Sequence, residues 1–270
     1  MSIDPTDTKQ ITGANKAAWD ASADYHRNNP QWKQLKADIC QPGFSCLDTT
    51  LTATLKALPV AGKSVVQIGC NNGREILSLA SLGVKTCLGI DQSPAFIQQA
   101  RDLADAAGAD AQFLCADIYD LPQNTPRSFD TALTTIGVLN WMPDLPRFFA
   151  ILSGLLKPGG AVVIYETHPF LEMMDPTVAD PDRLTFSYFK RDPFIETDPI
   201  VYDGNYQGKV PPSYWFLHKI SDILNAVIGA GLALERLIEH PHSIREVDYD
   251  KYENQAAQLP LCFTLNARKS

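Results

Sequence analysis

The chain has 270 residues, of which 45% are hydrophobic and 20% charged, the composition of a globular protein with a sizeable core. Its net charge of −8 argues against a nucleic-acid partner, because proteins that bind phosphate backbones usually carry a basic face. The six cysteines show no metal-type pairing such as C-x-x-C, so we predict reduced thiols and no metal site.

Neither a secretory leader nor a membrane segment is predicted. The first residues lack the basic start and the apolar core of a signal peptide. No run approaches the ~20 apolar residues that cross a bilayer. We therefore expect a cytoplasmic protein without membrane association.

The N-terminal region, residues 1–58, is predicted to form a helical cap. Residues 1–13 are polar and expected to fray. Helical stretches are plausible from Asn15 to Ala37, with a break at residues 28–30, where two asparagines precede a proline. A further helix is predicted over Leu47–Leu58, ended by Pro59.

Strand and helix signals then alternate, which is typical of parallel β-α-β units and predicts an α/β fold with a doubly wound sheet. Residues 59–168 should form its core. The predicted strands are Ser64–Ile68, Lys85–Ile90, Ala111–Cys115, Phe129–Thr134 and Ala161–Tyr165, with a helix opening at Ser93-Pro94 and another over Leu145–Leu156.

Residues 169–216 break this rhythm and are predicted to form an ordered cap insertion over a substrate site. Residues 170–216 contain six prolines and ten aromatic residues. Because disordered segments are poor in aromatic residues, an ordered loop is favoured. Residues 217–270 return to the core, with a helix over Leu217–Ala230 and strands over Ala233–Leu237 and Leu261–Asn266 that suggest an antiparallel edge pair.

The most informative local feature is the turn from the first strand into the next helix. Gly69 ends the strand, Gly73 follows it closely, and Asp91 ends the second strand. A glycine turn after one strand and a carboxylate after the next is the layout that holds a ribosyl cofactor. The G-x-N-x-G pattern suits a pyrophosphate poorly, which argues against a dinucleotide.

Five short motifs in order resemble the class I S-adenosylmethionine-dependent methyltransferases. They are Val-Gln-Ile-Gly-Cys-Asn-Asn-Gly (66–73), Gly-Ile-Asp-Gln-Ser (89–93), Cys-Ala-Asp-Ile (115–118), Phe-Asp-Thr-Ala (129–132) and Leu-Lys-Pro-Gly-Gly (156–160). The resemblance spans about residues 60–268. It implies a seven-stranded sheet whose last strand is antiparallel, and S-adenosylmethionine as the cofactor.

The resemblance also implies roles for individual residues. Gly69 and Gly73 would border the methionine part, Asp91 beside Gln92 would bind the ribose hydroxyls, and Asp117 would take the adenine amino group with Ile118 against the ring. Thr135 would face the methyl group.

Two positions depart from the family pattern. The family commonly has an acid in place of Gln67, which brings no charge towards the amino group of the cofactor, and a glycine in place of Asn71. Asparagine tolerates left-handed backbone, so we expect Asn71 to keep the turn.

Methyl transfer needs an acceptor aligned with the methyl group and, for many acceptors, a base. His168, just after the fifth strand, is the first candidate base, and Glu166 is the second. A loop histidine that only packs is the alternative for His168.

Asn140 and Trp141 are candidate substrate contacts, as are Tyr206 and Tyr214 among the cap aromatics. These rings could instead attach the cap to the body.

The predicted function is methylation of a small organic molecule in a capped pocket. Two alternatives stay open: methylation of a protein side chain, and a cofactor-binding protein that has lost transferase activity. The sequence indicates no oligomeric state.

Overall fold

A computed structural model describes residues 7–202, 208–245 and 247–270 of the chain. Its strands are β1 (Ser64–Ile68), β2 (Thr86–Asp91), β3 (Ala111–Cys115), β4 (Phe129–Thr135), β5 (Leu156–Thr167), β6 (Phe194–Glu196), β7 (Ser213–Trp215), β8 (Leu232–His240) and β9 (Cys262–Lys269). Its α-helices are α1 (Thr8–Asn28), α2 (Pro30–Asp38), α3 (Thr49–Lys56), α4 (Arg74–Ser78), α5 (Pro94–Ala107), α6 (Leu145–Leu155) and α7 (Ile220–Gly229).

Seven strands form one sheet in the order β3-β2-β1-β4-β5-β9-β8. The neighbours from β3 to β5 are parallel, whereas β9 is antiparallel to both β5 and β8. The predicted doubly wound sheet with an antiparallel last strand is therefore confirmed. The strand order reverses between β1 and β4, and a ligand crevice forms at such a switch point.

The sheet is buried on both faces. On one face, Phe148 and Leu152 of α6 and Ile223 of α7 pack against the strands in the larger apolar cluster. On the other, Leu51 and Leu55 of α3 join a second cluster with β1 and β5. Burial on both faces explains why the central strands are near-continuous apolar runs.

Helix α1 begins earlier than the sequence predicted. Residues 8–13 were expected to fray, but the Asp7 carboxylate caps the helix by accepting from the Lys9 and Gln10 backbone N–H groups at 3.0 and 3.1 Å. The predicted break is present at Asn29, where α2 starts with Pro30 at its first turn. Among the described residues, no helix is long and apolar enough to span a bilayer.

Helix α1 is tied to the insertion rather than to the sheet alone. The Asn15 side chain, 1% exposed, donates to the Tyr214 carbonyl at 2.8 Å and accepts from the Tyr214 N–H at 2.7 Å. Further along α1, the Ser22 hydroxyl accepts from the Ile200 N–H at 3.0 Å. These bonds join α1 to β7 and to residues 196–202, which we call the 196–202 segment.

Candidate active site

A cavity of about 400 Å³ opens at the carboxyl ends of β1, β2 and β4. Helix α1 covers it through Thr12 and Trp19, and the 196–202 segment covers it through residues that include Tyr202. Its volume lies in the range of small-molecule sites. Nine of the residues predicted for cofactor or substrate line it: Gly69, Asn71, Asp91, Gln92, Asp117, Ile118, Thr135, Asn140 and Trp141.

The turn after β1 is built from left-handed backbone. Gly69 has a φ of 65°, and a Cβ there would lie 2.5 Å from a Val138 methyl group. Asn71 has a φ of 50°, the conformation expected of an asparagine at this position. Gly73, with a φ of 76°, does not line the cavity; a Cβ there would meet Ala100 at 2.9 Å and Phe113 at 2.8 Å. Gly73 thus serves the close approach of α5 and β3.

Asp91 joins this turn to the end of β2. Its carboxylate accepts from the Asn71 N–H at 2.8 Å and from the Ser93 N–H at 2.9 Å. Burial raises the pKa of Asp91, while these two N–H groups act in the opposite direction. Each carboxylate oxygen has a further acceptor position, so the side chain retains capacity for hydroxyl donors in the cavity.

Asp117, which follows β3, binds helix α1 where that helix covers the cavity. Its Oδ1 accepts from the Tyr119 N–H at 2.9 Å, and its Oδ2 accepts from the Thr12 hydroxyl at 2.6 Å. Ile118 beside it is 5% exposed and lines the cavity together with Ile68 and Ile90. The site therefore has an apolar wall with a carboxylate at each end.

Gln67 does not reach the cavity. It is 1% exposed, and its Nε2 donates to Glu75 Oε2 at 2.8 Å and to the Thr135 hydroxyl at 3.0 Å. Thr135 also donates to Glu75 Oε2, and both Thr135 and Glu75 line the cavity. Glu75 was not among the predicted site residues, although it follows Gly73 by only two positions.

Neither predicted base lines the cavity. The Glu166 carboxylate, 1% exposed, accepts from the Gly137 N–H at 2.5 Å and from the Leu139 N–H at 3.1 Å. Burial raises its pKa to about 7, with Gly137, Val138 and Leu139 backbone bonds opposing the rise. A pKa near 7 suits a base, but this carboxylate instead holds the loop after β4.

His168 is also held by hydrogen bonds outside the cavity. It is 5% exposed, its Nδ1 accepts from the Phe170 N–H at 3.1 Å, and its Nε2 lies 3.0 Å from Glu239 Oε1. Burial lowers its pKa, with Glu239 acting in the opposite direction. The residue between the two candidates, Thr167, lines the cavity. Side chains alternate along a strand, so Glu166 of β5 lies on the opposite face from Thr167.

Beyond the loop after β4, the cavity has an aromatic and polar half. Trp141 packs edge-on against Trp19 with ring centroids 5.6 Å apart, and Trp215 lines the wall. Glu172, 2% exposed, accepts from Asn140 Nδ2 at 2.9 Å and pairs with Arg245 at 2.7 Å. Both Glu172 and Arg245 line the cavity.

Of the two tyrosines predicted to contact substrate, the structure describes Tyr214. Tyr214 is buried beside Ile11 of α1 and does not line the cavity, and Tyr206 lies outside the described residues. The polar and charged residues of the cavity that sequence reasoning did not select include Thr12, Arg74, Glu75, Glu172 and Arg245. Only Arg74 and Glu75 adjoin a motif; the others reach the cavity through tertiary folding.

Comparison with known proteins finds a methyltransferase domain in part of the chain. Residues 66–164 match the family model described as "Methyltransferase domain". The chain is 31% identical over 110 residues to a ribosomal protein L11 methyltransferase of Tolumonas auensis, an alignment covering 41% of this chain and 36% of that protein. It is 32% identical over 107 residues to a ubiquinone biosynthesis O-methyltransferase of Xanthomonas euvesicatoria, covering 40% and 44%. The chain thus spans less than half the length of these curated relatives.

Solved structures agree on the fold. An S-adenosylmethionine-dependent methyltransferase from Mesorhizobium loti superposes with a TM-score of 0.55 at 20% identity, covering 81% of this chain and 96% of that one. Residues 66–164 thus match a methyltransferase domain, and the chain has the fold of an S-adenosylmethionine-dependent methyltransferase. S-adenosylmethionine is the cofactor that this likeness indicates.

The residues of the cavity fit that cofactor chemically. Asp91 and Asp117 offer acceptors for the ribose hydroxyls and the adenine amino group, and Ile118 offers an apolar surface for the ring. Glu75 adds a carboxylate near the glycine turn. A cationic and polyhydroxylated ligand needs acceptors of this kind.

Proposed function

We propose that the protein transfers a methyl group from S-adenosylmethionine to a small organic molecule bound in the aromatic half of the cavity. The observation that carries this proposal is the continuity of the cavity. One cavity is lined by Asp91 and Asp117, by the loop after β4, and by Trp141 and Trp215, with Thr12 and Trp19 of α1 in the same wall. An acceptor in that half would lie beside the loop residues Thr135 to Val138.

The chain's own residues bind and orient in this proposal. Asp91 accepts from the ribose hydroxyls and Asp117 from the adenine amino group, while Ile118 packs on the ring. The bound cofactor supplies a methyl group that its sulfonium already activates. The protein therefore contributes alignment of the acceptor and exclusion of water, the latter through the cover formed by α1 and the 196–202 segment.

A small acceptor is favoured over a macromolecular one because the cavity is covered. Trp19 and Tyr202 line it from α1 and the 196–202 segment, and the Ser22 hydroxyl holds these two elements together by accepting from the Ile200 N–H. An extended polypeptide needs an open groove or an exposed strand edge. The relatives are named as methyltransferases of a protein and of a small molecule, so their names do not select the acceptor class. The proposal of a small acceptor therefore depends on the elements that cover the cavity in this chain.

We also propose that the chain divides into four parts that all contribute to this cavity. They are an N-terminal helical cap (residues 1–58), a core (59–168), a cap insertion (169–216) and a C-terminal part of the core (217–270). The cavity is lined from each of these four parts, with Thr12, Asp91, Tyr202 and Arg245 as examples.

Isothermal titration with S-adenosylmethionine and S-adenosylhomocysteine tests the proposal. Asp91→Ala should abolish measurable binding of both ligands, because the ribose hydroxyls lose their acceptor. Asp102→Ala is the matched control, since Asp102 pairs with Arg27 on the surface away from the cavity. Binding that survives in Asp91→Ala would contradict the assignment of the cofactor site.

Turnover separates the remaining alternatives. Formation of S-adenosylhomocysteine is measured with pooled small molecules that offer hydroxyl, thiol, amine or carbon acceptors, and in parallel with a protein extract. Turnover with a small-molecule pool alone supports the proposal. Turnover with the protein extract alone would show that the acceptor is a protein. Binding without turnover would favour a cofactor-binding protein without transferase activity.

A further inference from the structure

A carboxylate stands in the cavity at a position that the family motif does not supply. The family commonly places an acid at the position of Gln67, which in this chain is neutral and buried outside the cavity. Glu75, in the first turn of α4, lines the cavity instead. The negative charge near the glycine turn therefore lies on α4 in this chain, whereas the family commonly has it on β1.

Glu75 is held in one orientation by its neighbours. Gln67 Nε2 donates to Glu75 Oε2 at 2.8 Å, and the Thr135 hydroxyl donates to the same oxygen. In the part of the chain that the structure describes, Glu75 Oε1 has no hydrogen-bond partner. An ionised carboxylate can accept about four hydrogen bonds, so a cationic group in the cavity can still bind here.

A cation lies next to this carboxylate in the sequence and in the cavity wall. The Arg74 guanidinium lies over the Tyr202 ring, 5.8 Å from its centroid, and lines the cavity. Within the described residues no carboxylate forms a salt bridge with it. The wall beside Gly69 therefore presents one negative and one positive side chain.

We infer that Arg74 and Glu75 together bind the α-amino acid end of the cofactor. Glu75 binds the ammonium group of the cofactor, and Arg74 binds the carboxylate of the cofactor. An α-amino acid is a zwitterion, and a pair of opposite charges complements both of its groups. Gln67, left without a charge, then positions Glu75 and does not bind the cofactor itself. This inference rests on the proposed function, because it takes the cavity to be the S-adenosylmethionine site.

Two ligands that differ only at this end test the inference by titration calorimetry. S-adenosylhomocysteine carries the amino acid end, whereas 5′-methylthioadenosine keeps the nucleoside and the thioether but lacks that end. Glu75→Gln should weaken S-adenosylhomocysteine binding about 10- to 100-fold, the usual effect of losing a hydrogen bond to a charged group. Binding of 5′-methylthioadenosine should change less than about 2-fold. Arg74→Gln should show the same selective loss.

The exchange of the two side chains gives a sharper test. In Gln67→Glu/Glu75→Gln the acid returns to the strand position, which does not reach the cavity, so S-adenosylhomocysteine affinity should stay within about 2-fold of that of Glu75→Gln alone. Glu75→Asp, which keeps the charge, is the second variant if the exchanged pair is too unstable to titrate, and it should retain more affinity than Glu75→Gln. Glu235→Gln, at a surface pair with Arg268, is the matched control and should change neither ligand.

Equal losses for both ligands in Glu75→Gln would overturn the inference, because Glu75 would then act only on the shape of the site. Unchanged S-adenosylhomocysteine binding would overturn it as well. In both cases the unaltered chain still binds the ligands and the proposed function stands. If the unaltered chain binds neither ligand, the proposed function fails and this inference fails with it.

Discussion

Replacing Glu166 by glutamine should remove the contribution of this carboxyl group to the pH dependence of the unfolding free energy. The carboxyl group is 1% exposed, and burial raises its pKa from 4.5 to about 7. In this pH range the folded chain holds a proton that the unfolded chain has released. Rising pH therefore favours unfolding between about 4.5 and 7.

The size of the effect follows from the same two values. At about 1.4 kcal/mol per pH unit, the rise from 4.5 to about 7 corresponds to at most about 3 kcal/mol of unfolding free energy. This penalty is absent below pH 4.5 and complete above pH 7. It is the part of the burial cost that the Gly137 and Leu139 N–H bonds leave uncompensated.

Urea unfolding of the unaltered chain and of Glu166→Gln, measured from pH 4.5 to pH 8, checks this contribution. The unfolding free energy of the unaltered chain minus that of the variant should fall by about 3 kcal/mol over this range. All other titrating groups cancel in this difference, and Glu235→Gln on the surface should give a flat one. A difference that stays constant or rises with pH for Glu166→Gln would refute the reasoning.

Two further predictions concern the turn and the cover. Gly73→Ala should lower the unfolding free energy by roughly 3 kcal/mol in urea titration, because its Cβ would lie 2.8 Å from Phe113 and its φ is 76°. Gly159→Ala has a similar φ of 74° but open space around the Cβ, so it should cost only about 1 kcal/mol; equal losses would show that packing is not the cause. Asn15→Ala should cost roughly 2 kcal/mol or more, because two buried main-chain groups of Tyr214 lose their partner. Gln34→Ala, at an exposed pair with Asp38, should leave the urea midpoint nearly unchanged, and a loss as large as that of Asn15→Ala would argue against the link to β7.

Local signals predicted the sheet and its turns well. The strand from Ser64 to Ile68 matches β1, and the break at Asn28 to Pro30 separates α1 from α2. These features depend on neighbouring residues: apolar runs, a capping side chain and proline. The long insertion was harder, because its short strands β6 and β7 pair only with each other and follow no strong periodic pattern.

The side of the cavity formed by tertiary contacts could not be predicted. A strand ending is visible in the sequence, but a one-residue difference in register decides which side chain faces a ligand. Thr167 lines the cavity, while the charged candidates on either side of it do not. Thr12 and Arg245 are far from any motif, and their places follow from where α1 and the segment after β8 pack. Glu75 was within reach of sequence reasoning, because a missing acid at residue 67 calls for a nearby replacement.

The attachment of α1 has a kinetic consequence. Thr12 contacts Asp117 at the end of the cavity proposed for the nucleoside, and Asn15 and Ser22 of the same helix bind the main chain of residues 214 and 200. Displacing this one helix would uncover both ends together. Entry of either ligand and departure of either product should then share a single opening step, so the observed exchange rates of the two should rise and fall in parallel.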